Sequence, residues 1–172
     1  SKNYKLLGEI DRNNLIDFRC VRFPGLLSPD TVPSGGTSDY GPEMVHAAAQ
    51  GKDYECFVRP DSTIPFMAMA DAVEVLTQLA EAPKEKLGSF VYNVAGFSVS
   101  ASEIYDMTKK FFPKFNISYI INPERQRIVD SWPFDVDDAK AQKDWNWKRG
   151  FDFGKTFSEY LIPKIRQRYK KT

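Results

Sequence analysis

An α/β fold with parallel strand pairing is predicted by three features of this chain. Short β-compatible runs alternate with helical patterns along its 172 residues. The turns between them are marked by proline and glycine. One run, broken at Pro24-Gly25, leads through a loop holding Pro29, Pro33, Gly35 and Gly36 into a helix, the arrangement in which open α/β sheets place ligands. The composition, 42% hydrophobic, 27% charged and 14% aromatic, is that of a globular chain and argues against disorder. A formal net charge of +1 argues against a general nucleic-acid or polyanion surface. No apolar run approaches the ~18 residues that read as a membrane span.

In chain order, residues 1–13 read as an amphipathic helix. Lys2, Leu6 and Ile10 recur at helical spacing, with Tyr4 and Leu7 on a second ridge. The helix has no preceding cap and looks cut. A strand at 15–23 ends at Pro24-Gly25, because proline cannot donate to a ladder and glycine takes turn dihedrals. Thr37, Ser38 and Asp39 offer cap chemistry to a helix at 39–50, with Pro42 in its first turn and Gly51 as the C-terminal cap. Residues 54–58 alternate as a strand, Arg59-Pro60-Asp61 turns the chain, and 64–69 is a second apolar run.

A helix over 71–81 is expected to face Val73, Val75, Leu76 and Leu79 inward, and Pro83 stops it. A strand follows at 90–94. Ser98 to Ser102 is expected to begin a helix with a capping box, Ser100 or Ser102 at the cap and Glu103 near it, running to about Phe112. Residues 116–121 read as a strand, 123–130 as a helix interrupted by Ser131-Trp132-Pro133, and 137–145 as a short helix. A last helix over 151–169 is expected to break or restart near Pro163. Its basic end is a solvated terminus that favours cations.

Few side chains announce chemistry by spacing alone. Cys20 and Cys56 lack metal-type neighbours and read as buried free thiols in a reducing compartment. His46 is a lone structural histidine, and Arg59 a turn or salt-bridge residue. No G-x-G-x-x-G stretch occurs, so the chain carries no phosphate cradle of that kind.

The stretches SKNYKLLGE, RFPGLLSP, PSGGTSDYGPEM, CFVRPDSTIPFMAMADAVEVL, YNVAGFSVSASEI and DSWPFDVDDAKAQKDWNWK, in that order, resemble the C-terminal portion of extended short-chain dehydrogenases/reductases. Within that superfamily they resemble the short-chain L-threonine 3-dehydrogenases. The resemblance covers essentially the whole chain. It implies a Rossmann-like α/β fold, with the last Rossmann helix and strands interleaved with a smaller substrate-binding lobe. Residues 1–172 would be this C-terminal part, and the N-terminal cofactor-binding part would lie outside the chain.

The resemblance also implies site residues. Lys2 matches the lysine of the family's Tyr-x-x-x-Lys motif, whose tyrosine would stand four positions earlier, outside this sequence. In the family that lysine contacts the nicotinamide ribose of NAD and lowers the tyrosine's pKa, so that phenolate accepts the substrate hydroxyl proton. Phe23, Pro24, Gly25, Leu26 and Leu27 match the segment that packs on the nicotinamide. Gly36, Thr37 and Ser38 match the substrate loop, in which a second threonine is commoner at the place of Ser38, and Trp132 closes the far wall. No metal is implied.

The implied reaction is NAD-dependent oxidation of L-threonine to 2-amino-3-oxobutanoate, the isolated chain being expected inactive. The implied partner is a second copy bound through the helix starting at Ser1, with no nucleic acid and no membrane. The location would be intracellular, mitochondrial in a eukaryote and cytoplasmic otherwise. Two alternatives stay open: a sugar-nucleotide epimerase or dehydratase of the same superfamily, and a non-catalytic dimerising module.

Overall fold

A computed structural model describes residues 17–170. The helix expected from Ser1, and Lys2 with it, lie outside the described residues. The described strands are β1 (Cys20–Arg22), β2 (Gly25–Leu27), β3 (Tyr54–Cys56), β4 (Thr63–Ala68), β5 (Val91–Asn93), β6 (Phe97–Ser100) and β7 (Ile117–Tyr119). The helices are α1 (Tyr40–Ala49), α2 (Met69–Glu81), α3 (Ala101–Phe111), α4 (Pro123–Asp130), α5 (Ala139–Trp145), α6 (Phe153–Lys155) and α7 (Ile162–Lys170). β1 pairs β5, β2 pairs β4 and β3 pairs β7, all parallel, whereas β4 and β6 are antiparallel. The mixed α/β class with parallel pairing is therefore as expected.

The first strand ends before Pro24, as expected, and the chain crosses there from one sheet to another. Without an N–H to give, Pro24 lets the ladder with β5 lapse after Arg22. The chain resumes at Gly25 against a new neighbour, Gly25 opposite Phe66 and Leu27 opposite Ala68. Glycine suits this crossing, since a Cβ there would stand 2.9 Å from Phe66 Cδ1.

β4 is the wall between two hydrophobic cores. Successive strand residues face opposite ways, so Phe66 enters a core with Leu27, Tyr40, Ile64, Ile104 and Phe157. Met67 enters the other, with Val75, Leu79, Tyr92, Val94 and Trp147. Gly96 lets the neighbouring chain press against this wall: a Cβ there would lie 2.1 Å from the Phe66 carbonyl oxygen.

Three local expectations are corrected. Residues 97–100 form β6 rather than the start of a helix, because Phe97 to Ser100 pair in register with β4. The capping box is as expected, with Ser100 at the cap: Ser100 Oγ accepts from Glu103 N and the Glu103 carboxylate accepts from Ser100 N. Of the four apolar residues expected to face inward on α2, Val75 and Leu79 do, but Val73 and Leu76 are 58% and 54% exposed. Their place is taken by Ala72 and by Asp71, whose carboxylate accepts the N–H groups of Gly150 and Phe151.

Asp39 occupies the N-cap position of α1 but makes no side-chain cap bond; its carboxylate turns back into the preceding loop. The last helix restarts near Pro163, as expected: a π-helical stretch, Thr156–Leu161, gives way to α7 at Ile162, which puts Pro163 in a first turn where its missing N–H is tolerated.

His46 is buried and structural, with Nδ1 2.8 Å from the Tyr169 hydroxyl oxygen on α7. Both cysteines are free thiols. Burial pushes the Cys56 thiol up to about 11, which leaves it protonated and inert at neutral pH. Arg59 is the turn residue expected, with Nη1 and Nη2 donating to the two Asp130 carboxylate oxygens at 3.0 and 2.8 Å.

Candidate functional site

The crossing from β1 to β2 places a short irregular segment, Phe23-Pro24, at the carboxyl end of a parallel strand, where open α/β sheets bind ligands. A cleft of about 320 Å³ opens there. Phe23, Pro24 and Gly25 line one side, Ser38 reaches it from the loop before α1, and Trp132 with Pro133 closes it from beyond α4. Five residues read from the sequence as ligand contacts thus meet at one place. Leu26 and Leu27 do not line the cleft. Leu27 is buried in the first core and Leu26 packs against the second, because the strand alternates. Gly36 and Thr37 sit in the loop beside Ser38 without lining the cleft, and Lys2 lies outside the described residues.

The cleft also uses residues that gave no warning in the sequence: Ile64, Pro65 and Val136. Pro65 falls inside β4, where proline is normally excluded. Pairing with β2 begins only at Phe66, so β4 is still an edge at Pro65 and faces the cleft. Among the described residues, no side chain lining this cleft is cationic. Its walls are apolar apart from the Ser38 hydroxyl and the Trp132 indole N–H.

The loop that delivers Ser38 is held from two sides. The Asp39 carboxylate accepts the N–H groups of Ser34 and Gly36 at 3.1 and 2.8 Å. Across the loop, Arg125 Nη2 donates to the carbonyl oxygens of Gly35 and Gly36 at 3.0 and 2.5 Å. Gly35 adopts φ +93°, a conformation glycine takes without strain.

A larger cleft of about 760 Å³ lies between β6 and α5, lined by Ser98, Asp135, Asp138, Lys148 and Arg149 among others. The Ser98 hydroxyl donates to Asp135 at 3.0 Å, and Val136 lines both clefts, so the two are neighbours. The larger one holds none of the residues read from the sequence as ligand contacts. Among the described residues no group of three or more potential metal-ligating side chains occurs, and no helix is long and apolar enough to cross a membrane.

No family model matches the chain. The mitochondrial L-threonine 3-dehydrogenase of Bos taurus is 39% identical over 137 residues, which is 80% of this chain and 37% of that protein. An uncharacterized epimerase/dehydratase of Staphylococcus saprophyticus is 34% identical over 138 residues, 80% of this chain and 43% of that protein. Among solved structures, a monomeric L-threonine 3-dehydrogenase of metagenomic origin, in its apo form, superposes with a TM-score of 0.89 at 36% identity. That match covers 98% of this chain and 54% of the other. The chain spans about half the length of these proteins or less. The similarity to threonine dehydrogenases and the Rossmann-like short-chain dehydrogenase kind of fold are therefore as the resemblance implied.

Proposed function

We propose that this chain is the C-terminal portion of an NAD-dependent L-threonine 3-dehydrogenase and forms the substrate side of its pocket. The observation that carries this is the small cleft in which Phe23, Pro24 and Gly25 meet Ser38 and Trp132. Its size suits a small amino acid beside one aromatic ring. A sugar nucleotide presents a diphosphate, which is recognised by arginine or lysine, and the described lining offers neither.

Phe23 and Pro24 give a flat apolar face of the kind a nicotinamide ring stacks on, while the phosphates must be held elsewhere. Ser38 offers a hydroxyl to the charged groups of the amino acid. Trp132 covers the cleft and excludes water, which strengthens the electrostatic contacts within it. Lys2 keeps the role of a cation that lowers the pKa of a tyrosine outside the chain. When bound, NAD would supply the hydride acceptor for the substrate's β-carbon, and the tyrosine outside the chain would take the hydroxyl proton.

The division of the protein has support in the fold. Among the described residues β1 pairs only with β5, so its other edge is available to continue a sheet. Val73 and Leu76 lie on the exposed face of α2, and the groove nearby is lined by Val21, Leu76 and Leu79. Dimerisation through the helix starting at Ser1, and a mitochondrial location if the source is eukaryotic, belong to the same proposal.

NADH formation by the full-length protein tests the activity. Turnover with L-threonine, and no thermal stabilisation by a UDP-sugar, are expected. Stabilisation by the UDP-sugar without threonine turnover would favour the epimerase or dehydratase alternative. A stable dimer that binds neither would favour the interaction module. Threonine-dependent NADH formation by the 172-residue chain alone would overturn the proposed division.

A further inference from the structure

α4 connects the two walls of the cleft. Arg125, in its first turn, grips the loop that carries Ser38, and Trp132 follows two residues after its end at Asp130. The helix is itself fastened. Buried Gln126 accepts from Arg59 N at 2.7 Å and donates to Asp130 at 2.7 Å, and Asp130 takes both arms of Arg59. Asn122 caps its start by accepting from Glu124 N and Arg125 N. Arg125 is therefore held at its backbone and, through its guanidinium carbon 3.2 Å from the Phe57 ring centroid, at its head group.

The loop's own bonds leave its outer side to Arg125. The Asp39 carboxylate accepts the N–H groups of Ser34 and Gly36, and Asp39 N donates to the Gly36 carbonyl at 3.0 Å, whereas the Gly35 carbonyl, and the Gly36 carbonyl a second time, accept from one Arg125 nitrogen. Gly36 has no spare room, since a Cβ would meet the Asp39 carboxylate at 3.1 Å. Two glycines in sequence give the loop wide conformational freedom unless something removes it.

Resting on the function proposed above, we infer that Arg125 is a positioning residue. By holding the two glycine carbonyls it sets where Ser38 stands opposite Trp132, and so sets the pocket's affinity for its amino-acid substrate. It acts through the loop and touches neither substrate nor cofactor.

The test uses R125M and R125K in the full-length protein. Methionine keeps an apolar stem over Phe57 and removes every donor; lysine restores a cationic donor group without the planar fork. For R125M the KM for L-threonine is expected to rise about tenfold with kcat within about twofold, since a charge-assisted grip on the ground-state pocket is lost. R125K should lie between R125M and the parent. The KM for NAD should not move, and amide hydrogen exchange at Gly36 and Ser38 should speed up.

Unchanged exchange in R125M, or faster exchange with an unchanged threonine KM, overturns the inference. So does a joint fall of kcat and rise of both KM values, which marks general structural damage. If R125M does not fold, R125K must still raise the threonine KM alone, and failure to do so overturns it as well. A parent protein that does not oxidise threonine refutes the function beneath the inference, a different outcome from a threonine KM that ignores Arg125.

Discussion

α2 and α3 are amphipathic helices of similar length, yet they finish their surfaces differently. α3 buries Ala101, Ile104 and Thr108 and shows solvent Glu103, Asp106 and Lys110. α2 buries Asp71, Ala72, Val75 and Leu79, but turns Val73 and Leu76 outward beside Glu74 and Thr77. The difference follows the two cores. The one around Phe66 is wrapped by α1, α3 and the last helix, whereas the one around Met67 is covered on one side by a helix with a second apolar stripe. Scattered exposed leucines are ordinary. An apolar pair one helical turn apart, next to a strand with an open edge, is a surface suited to further packing.

The strongest way to break this comparison is to strike the wall the two cores share. Gly96→Ala would force a methyl to within 2.1 Å of the Phe66 carbonyl and 2.8 Å of Met67 Cα, with backbone on that side and no side chain to give way. A loss of about 3 kcal/mol is expected from such overpacking. Urea unfolding should show both cores lost in one transition; two separate transitions would mean that β4 does not couple them.

Truncations on either face of β4 come next. Phe66→Ala should cost about 4 kcal/mol and Met67→Ala about 3, by cavity formation in fully buried sites. A Met67→Ala cost near zero would show the smaller core to be loosely packed.

On α2 the contrast should lie within one helix. Leu79→Ala should cost about 2–3 kcal/mol, as for a buried leucine. Leu76→Lys in the same chain should change stability by less than about 0.5 kcal/mol. If Leu76→Lys proves as costly as Leu79→Ala, that face is covered within the 172-residue chain itself.

The smallest effect concerns His46, in the larger core. Burial, with Arg168 nearby, holds its pKa below the ordinary 6.5. The unfolded chain therefore takes up the proton first as pH falls. Stability tied to this group is complete above that ordinary value and declines below it. His46 is the chain's single histidine, so one imidazole resonance can be followed by NMR. A midpoint below 6.5 is expected, and one at or above it would contradict the buried placement.

Particular residues show what could be read in advance. The bounds of α4 were legible because Asn122 is a cap and Pro123 suits a first turn. β6 was missed because its four residues run straight into a capping box, and the helical signal outweighed a short strand. The inward set on α2 was misjudged because Val73, Val75, Leu76 and Leu79 span too much of a helix for one stripe. Which part is buried is decided by the sheet, not by the helix.

Phe23, Pro24, Gly25, Ser38 and Trp132 were named through a resemblance, and the fold brings them to one cleft. Ile64, Pro65 and Val136 had no local mark. Arg125 was invisible for a physical reason: the carbonyls it holds are about ninety residues away along the chain.

β4 carries a further consequence. Its side chains are sorted left and right by parity alone, so an insertion or deletion of one residue within Thr63–Ala68 would send every later member to the wrong core. The length of this strand is thus fixed by both cores at once.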